Sequence, residues 1–215
     1  MIASYSNNFI FLKTIKTGGT AVEAVLSTWC SGRDVVTPFA PEDEIRRREI
    51  GGRPMNFHRG WFRRNFYQHT RAELVRKYVP RLWAQAFKFS VERHPYERAV
   101  SLAYWRIHAR GGEPSTEFER ELEVVLSGID GFNNRRIYCI NDQIAVDEVI
   151  RYDRLWPRLA EIASTLGHRL PEQLPVAKGT SRTDRRPAGE ILTEAQKLRI
   201  QDLRRRDFEE FGFEP

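Results

Sequence analysis

The feature that most constrains this chain is an apolar stretch that runs without a break into a glycine turn and then into a helical stripe. Residues 9–13, FIFLK, are short, apolar and aromatic, which suits a buried strand. From Thr20 onward, Val22, Val25, Leu26 and Trp29 fall at i, i+3, i+4 and i+7, one face of a helix. Thr20 and Glu23 make a T-x-x-E capping box, which predicts the helix start at the end of the turn Thr17-Gly18-Gly19-Thr20. The same order returns further on. Residues 86–92, AFKFSVE, alternate and favour β structure, and they lead straight into Arg93-His94-Pro95 and a stripe of Tyr96, Ala99, Val100, Ala103, Tyr104 and Ile107.

Weaker signals fill in the rest. Residues 32–67 are rich in Pro, Gly, Arg and aromatics, with a short helix expected over 42–49. A helix is expected over 70–78, capped by Thr70 with Glu73 three residues on. Further helices are expected over 117–126 and 155–166, and a strand over 144–152. Residues 171–189 read as an extended loop, and Thr193 with Gln196 caps a final charged helix to about residue 211. With no repeat and no linker, these segments predict one α/β domain over 1–215, a central, mainly parallel sheet flanked by helices.

The chain has 215 residues, 40% of them hydrophobic, enough for one substantial core. It holds no apolar run of membrane-spanning length, and its polar start without a basic region argues against a secretory signal. Cys30 and Cys139, without metal-ligand spacing, suggest structural thiols in a reducing compartment, so a cytoplasmic protein without a metal is expected. The formal charge of +6 favours an anionic ligand through its summed field. Nucleic acid is not the expected partner, because the basic runs IRRRE (45–49) and LRRRDFEE (203–210) are mixed with acids, the pattern of solvated helix faces.

The glycine turn is the sharpest functional signal. A helix N-terminus offers unpaired N–H groups and partial positive charge, and glycines permit close approach of an anion. Gly18 and Gly19 supply that approach, Thr17 and Thr20 add hydroxyl donors, and Lys16 adds a full charge. The chemistry suits a phosphate or sulfate. An ATP-binding P-loop carries its lysine after the glycines, whereas here the lysine precedes them.

FLKTIKTGGTAVE (11–23) resembles the 5′-phosphosulfate loop of sulfotransferases that use 3′-phosphoadenosine 5′-phosphosulfate (PAPS), in particular the carbohydrate branch with its P-K-T-G-G-T pattern. FSVERHPYERAVSLAYW (89–105) is similar to that family's 3′-phosphate motif, YQHTRAELV (67–75) to a histidine-bearing segment between the two, and VDEVIRYDRL (146–155) to a strand near the nucleotide. These segments span most of the chain in the family's order. Two positions depart from the pattern: Ile15 stands where the family has proline, and Lys13 where it usually has histidine.

The resemblance implies a P-loop-like sulfotransferase fold and an enzyme that moves a sulfuryl group from PAPS to a hydroxyl or amine, leaving adenosine 3′,5′-bisphosphate. The expected acceptor is a carbohydrate or glycoconjugate. Lys16, Thr17, Gly18, Gly19, Thr20 and Ala21 are then the 5′-side contacts, Lys16 also stabilising the leaving oxygen, and Arg93 and Ser101 read the 3′-phosphate. Lys178 and Arg182, in AKGTSR, are further candidates for the nucleotide. His69 is the expected base, with His58 its rival, and His58, Arg59 and Arg63 are candidate acceptor contacts. A kinase using ATP is the alternative enzyme, and a basic nucleic-acid-binding module the non-enzymatic one.

Overall fold

The structure, a computed structural model, describes residues 1–56, 66–128, 132–171 and 182–215. The chain divides into two compact units, Met1–Glu92 with Asn134–Ala177, and Arg93–Asn133 with Lys178–Pro215. Among the described residues no helix is long and apolar enough to cross a membrane.

The first unit is built from β1 (Ile2–Ser4), β2 (Phe9–Leu12), α1 (Gly19–Ser27), β3 (Val35–Val36), α2 (Pro41–Glu49), α3 (Ala72–Tyr78), α4 (Pro80–Gln85) and β4 (Phe87–Glu92). The second contributes α5 (Pro95–Ala109) and α6 (Pro114–Leu126). The chain then returns to the first unit with α7 (Arg135–Tyr138), β5 (Cys139–Ile140), β6 (Gln143–Ile144), β7 (Glu148–Arg151), a 3₁₀ turn at Tyr152–Arg154 and α8 (Leu155–Thr165). It closes in the second unit with α9 (Ala188–Ile191), α10 (Glu194–Leu203) and α11 (Arg205–Phe211).

In the first unit five strands lie in the order β3-β1-β2-β4-β7. β2, β4 and β7 run parallel, in registers that set Leu12 beside Ser90 and Glu92 beside Arg151. β1 is antiparallel to both β2 and β3, so the sheet is mixed. The start of the chain, polar by composition, in fact forms the first arm of a hairpin: Ile2 and Ala3 are fully buried, and Asn8 turns the chain at φ 53°. Asparagine enters the left-handed region more readily than other side chains, which suits it to that turn.

Alternation puts Phe9, Phe11, Phe89, Val91 and Ile150 on one sheet face. Val22, Val25 and Leu26 of α1, Trp29 just beyond its end, and Leu155, Leu159, Ile162 and Ala163 of α8 join them in a single core cluster. The Phe11 and Phe89 rings lie 5.2 Å apart, and full burial of each such side chain contributes about 1.5–3 kcal/mol. Residues 144–152 do not make one strand: Ile144 pairs in the β5–β6 hairpin and β7 begins only at Glu148, after a bend at Val146 and Asp147. Aspartate is a poor strand residue, and here its carboxylate takes the Lys88 N–H at 2.7 Å.

The second unit is helical. The segment expected as one helix to residue 211 is two, broken at Arg204 with φ −125°, although the Thr193–Gln196 capping box forms as expected. Beyond the break Asp207 pairs with the buried Arg98 at 3.1 Å. In the chain's basic runs, Arg46 is paired with Asp43, Arg205 with Asp202 and Arg206 with Glu210. Arg47, expected on a solvated face, is instead fully buried between Glu23 and Glu44, with its guanidinium 3.5 Å from the Phe39 ring centre.

Candidate functional site

In open α/β sheets ligands bind beyond the carboxyl ends of the strands. In the first unit the segments leaving those ends begin with Lys13 after β2 and Tyr152 after β7. The β2 segment is the glycine turn. Lys16 has φ 61° and Gly18 φ 72°, so two left-handed residues flank Thr17 before α1 starts. A lysine in that region is uncommon and costs on the order of 1–3 kcal/mol, strain that gathers at functional sites. No described residue accepts from the N–H groups of Thr17, Gly18, Gly19 and Thr20, while the Ala21 N–H closes on Gly18 O at 3.0 Å. Successive unpaired backbone donors after a left-handed residue are the kind of feature that can take an anion.

The expected capping box does not form. Gly18 is the N-cap, Thr20 lies inside the first helical turn, and Glu23 points elsewhere. Its carboxylate is fully buried, 3.5 Å from Lys13 Nζ and 3.3 Å from Arg47 Nη2, and it accepts from the Thr37 hydroxyl at 3.0 Å. Opposite charges outcompete a local amide for a buried carboxylate. The Lys13 stem runs beneath Gly19, where an added Cβ would stand 2.8 Å from Lys13 Cγ. At Gly18 a Cβ would stand 2.9 Å from Tyr152 Cε2, in addition to the positive φ. Both glycines are therefore required by their neighbours. Thr17 turns its hydroxyl inward, 2.7 Å from that of Thr14, so it is not the outward hydroxyl donor expected of it. Thr20 is also mostly buried.

His69 comes to the same segment. Its Nδ1 lies 2.9 Å from Lys13 O. A carbonyl only accepts, so Nδ1 carries the hydrogen and Nε2 keeps its lone pair. Burial pushes the imidazole pKa down to about 4, assisted by the Lys13 ammonium and opposed by the hydrogen bond to Lys13 O. His69 is thus a neutral acceptor at ordinary pH. Its rival His58, together with Arg59 and Arg63, lies outside the described residues, as does Lys178.

The second unit holds the other candidates. His94 caps α5, its Nδ1 accepting from Tyr96 N at 3.2 Å and its Nε2 donating to Glu214 O at 2.7 Å. Arg93 donates to Glu97 Oε2 at 2.9 Å, and Arg182 reaches the same oxygen at 2.6 Å. Ala188 N donates to Glu97 Oε1 at 2.7 Å, so one carboxylate gathers both candidate arginines. Burial would raise the Glu97 pKa, but the Ala188 N–H and then the Arg182 and Arg93 guanidiniums hold it below the usual carboxylate value. Arg182 also donates to Asp184 O at 2.7 Å and to Arg186 O. Ser101 is half-buried one turn after Glu97, on the same side of α5. Arg98, three positions before Ser101 in α5, faces the interior.

One buried group had no signal in the pattern. Asn134 donates and accepts at Ile15, and its Nδ2 also meets the fully buried Glu92 at 3.3 Å. Burial, then Asp34, pushes the Cys30 thiol up to about 12. No protein-family model, no curated protein and no solved structure matches the chain, so its chemistry is read from the residues and geometry above.

Proposed function

We propose that the chain is a sulfotransferase that transfers a sulfuryl group from PAPS to a hydroxyl or amine, with a carbohydrate or glycoconjugate as the acceptor class. The observation that carries the reading is the nest after β2. Lys16 and Gly18 in left-handed conformations leave four backbone N–H groups for an anion, and His69, with a lone pair on Nε2, is bonded to the same segment.

PAPS supplies an activated sulfuryl group on a phosphate leaving group. Such transfers need the attacking and leaving oxygens in line, so positioning and charge stabilisation dominate. The amides of Thr17 to Thr20 bind the 5′-phosphate and the sulfuryl oxygens. Lys16 stabilises the charge that grows on the bridging oxygen as its bond to sulfur breaks. His69 Nε2 takes the acceptor's proton as the new oxygen–sulfur or nitrogen–sulfur bond forms. A pKa of about 4 makes it a weak base but keeps it unprotonated. Arg93 and Ser101 read the 3′-phosphate through a planar guanidinium and a hydroxyl.

Thermal unfolding with adenosine 3′,5′-bisphosphate, ADP and ATP tests the reading. A ligand at about 100 times its dissociation constant adds about 2.7 kcal/mol, so stabilisation by the bisphosphate alone is expected. Selective stabilisation by ATP with magnesium would move the chain to the kinases. Equal, strongly salt-dependent responses to any polyanion would make it a nucleic-acid module.

A further inference from the structure

We propose that Asn134 is a positioning residue that holds the segment before Lys16 in its anion-binding shape, through a two-point grip on the backbone of Ile15. Asn134 Oδ1 accepts from Ile15 N at 2.9 Å and Nδ2 donates to Ile15 O at 3.1 Å. These roles fix the orientation of the side-chain amide, since a backbone N–H only donates and a carbonyl only accepts. The second hydrogen of Nδ2 goes to Glu92 Oε1 at 3.3 Å, and Glu92 Oε2 accepts from the Tyr138 hydroxyl at 3.2 Å. Asn134 and Glu92 are both fully buried. A buried network whose members hold one another in place rigidifies what it touches.

What it touches is the residue before the strain. Lys16 stands at φ 61° and Gly18 at φ 72°, and such conformations persist only where the surroundings over-determine them. On the other side of Ile15, Thr14 is fixed by its hydroxyl, 2.7 Å from that of Thr17. Ile15 has no proline ring to restrict it, yet it has the N–H that proline lacks, and Asn134 takes that N–H. The grip is therefore a tertiary constraint on Ile15. It deepens the sulfotransferase reading, on which the role of Lys16 rests.

Two measurements test it on the whole chain. Amide hydrogen exchange in Asn134→Ala should accelerate at Ile15 by about tenfold or more while β4 amides such as Phe89 keep their protection; unchanged exchange at Ile15 would overturn the grip whatever the chain binds. Calorimetry with adenosine 3′,5′-bisphosphate then separates positioning from bulk stability. Asn134→Ala should weaken binding by up to about 10²-fold, the scale of a misplaced contact, but add little to the loss in Lys16→Ala. Additive losses would show that Asn134 does not act through Lys16. If the wild type does not bind the bisphosphate, the sulfotransferase reading fails, and hydrogen exchange still decides the grip. Asn134→Ser, which keeps a smaller donor and acceptor, serves if the alanine variant does not fold.

Discussion

His69 Nδ1 stands 2.9 Å from the carbonyl oxygen of Lys13, so the backbone that carries the lysine turn also sets the tautomer of the candidate base. His69→Ala should lower kcat by about 10²–10⁴-fold and leave bisphosphate affinity within about threefold, because the base meets the acceptor and not the nucleotide. Steady-state kinetics with calorimetry check this. If His58→Ala gives that pattern and His69→Ala does not, the assignment moves to His58.

The same imidazole predicts a pH dependence. Its pKa is lowered from 6.5 to about 4 in the fold, so between those values the unfolded chain binds a proton that the native one does not. Its contribution to stability is full above about pH 6.5, is lost as pH falls, and levels off below about pH 4. Chemical denaturation from pH 4 to pH 7 should show a shallower slope in His69→Ala than in the wild type. Equal slopes would mean the native histidine titrates normally.

Lys16 separates charge from backbone. Lys16→Ala should reduce turnover by about 10²–10³-fold through lost stabilisation of the leaving oxygen. Lys16→Gly should lose as much activity yet melt no lower than Lys16→Ala, since glycine accepts φ 61° without strain. Near-normal turnover in either variant removes Lys16 from the mechanism, and a lower melting point for the glycine variant removes the strain.

Gly19→Ala tests the packing beneath the turn. The new Cβ would meet Lys13 Cγ at 2.8 Å, and Lys13 is buried with its ammonium beside Glu23. Overpacking of this kind costs about 1–3 kcal/mol. Urea denaturation should show that loss, and an unchanged midpoint would show that the Lys13 stem moves aside freely.

Arg93 and Ser101 should explain a preference for a 3′-phosphate. Arg93→Ala is expected to weaken adenosine 3′,5′-bisphosphate binding by about 2–5 kcal/mol while ADP binding barely changes. Ser101→Ala should give a smaller fall. The measurement is the ratio of the two dissociation constants, with circular dichroism to confirm folding. An unchanged ratio in both variants would place the reading of the 3′-phosphate elsewhere, with Lys178 and Arg182 the next residues to substitute.

The sequence by itself determined the elements whose signals are local. Strand β2 and helix α1 follow from an apolar run and a 3.6-residue stripe, and β4 with α5 follows in the same way. It also determined which residue types meet at the turn: a lysine, two glycines and two threonines within five positions. Tertiary structure decided where the side chains went. Glu23 looked like a cap because T-x-x-E is a local pattern, but Lys13 and Arg47 bury it as an ion partner. Thr17 turned inward to Thr14, and Arg98 turned inward to Asp207. Residues 1–8 showed only as a polar start, because a three-residue strand is too short to show alternation. The tautomer of His69 depends on a carbonyl 56 positions away, and the grip on Ile15 on an asparagine 119 positions away. Hydrophobic periodicity reports which way a residue faces within its own element, whereas a hydrogen bond across such distances is made only when the whole sheet has assembled, so no local pattern encodes it.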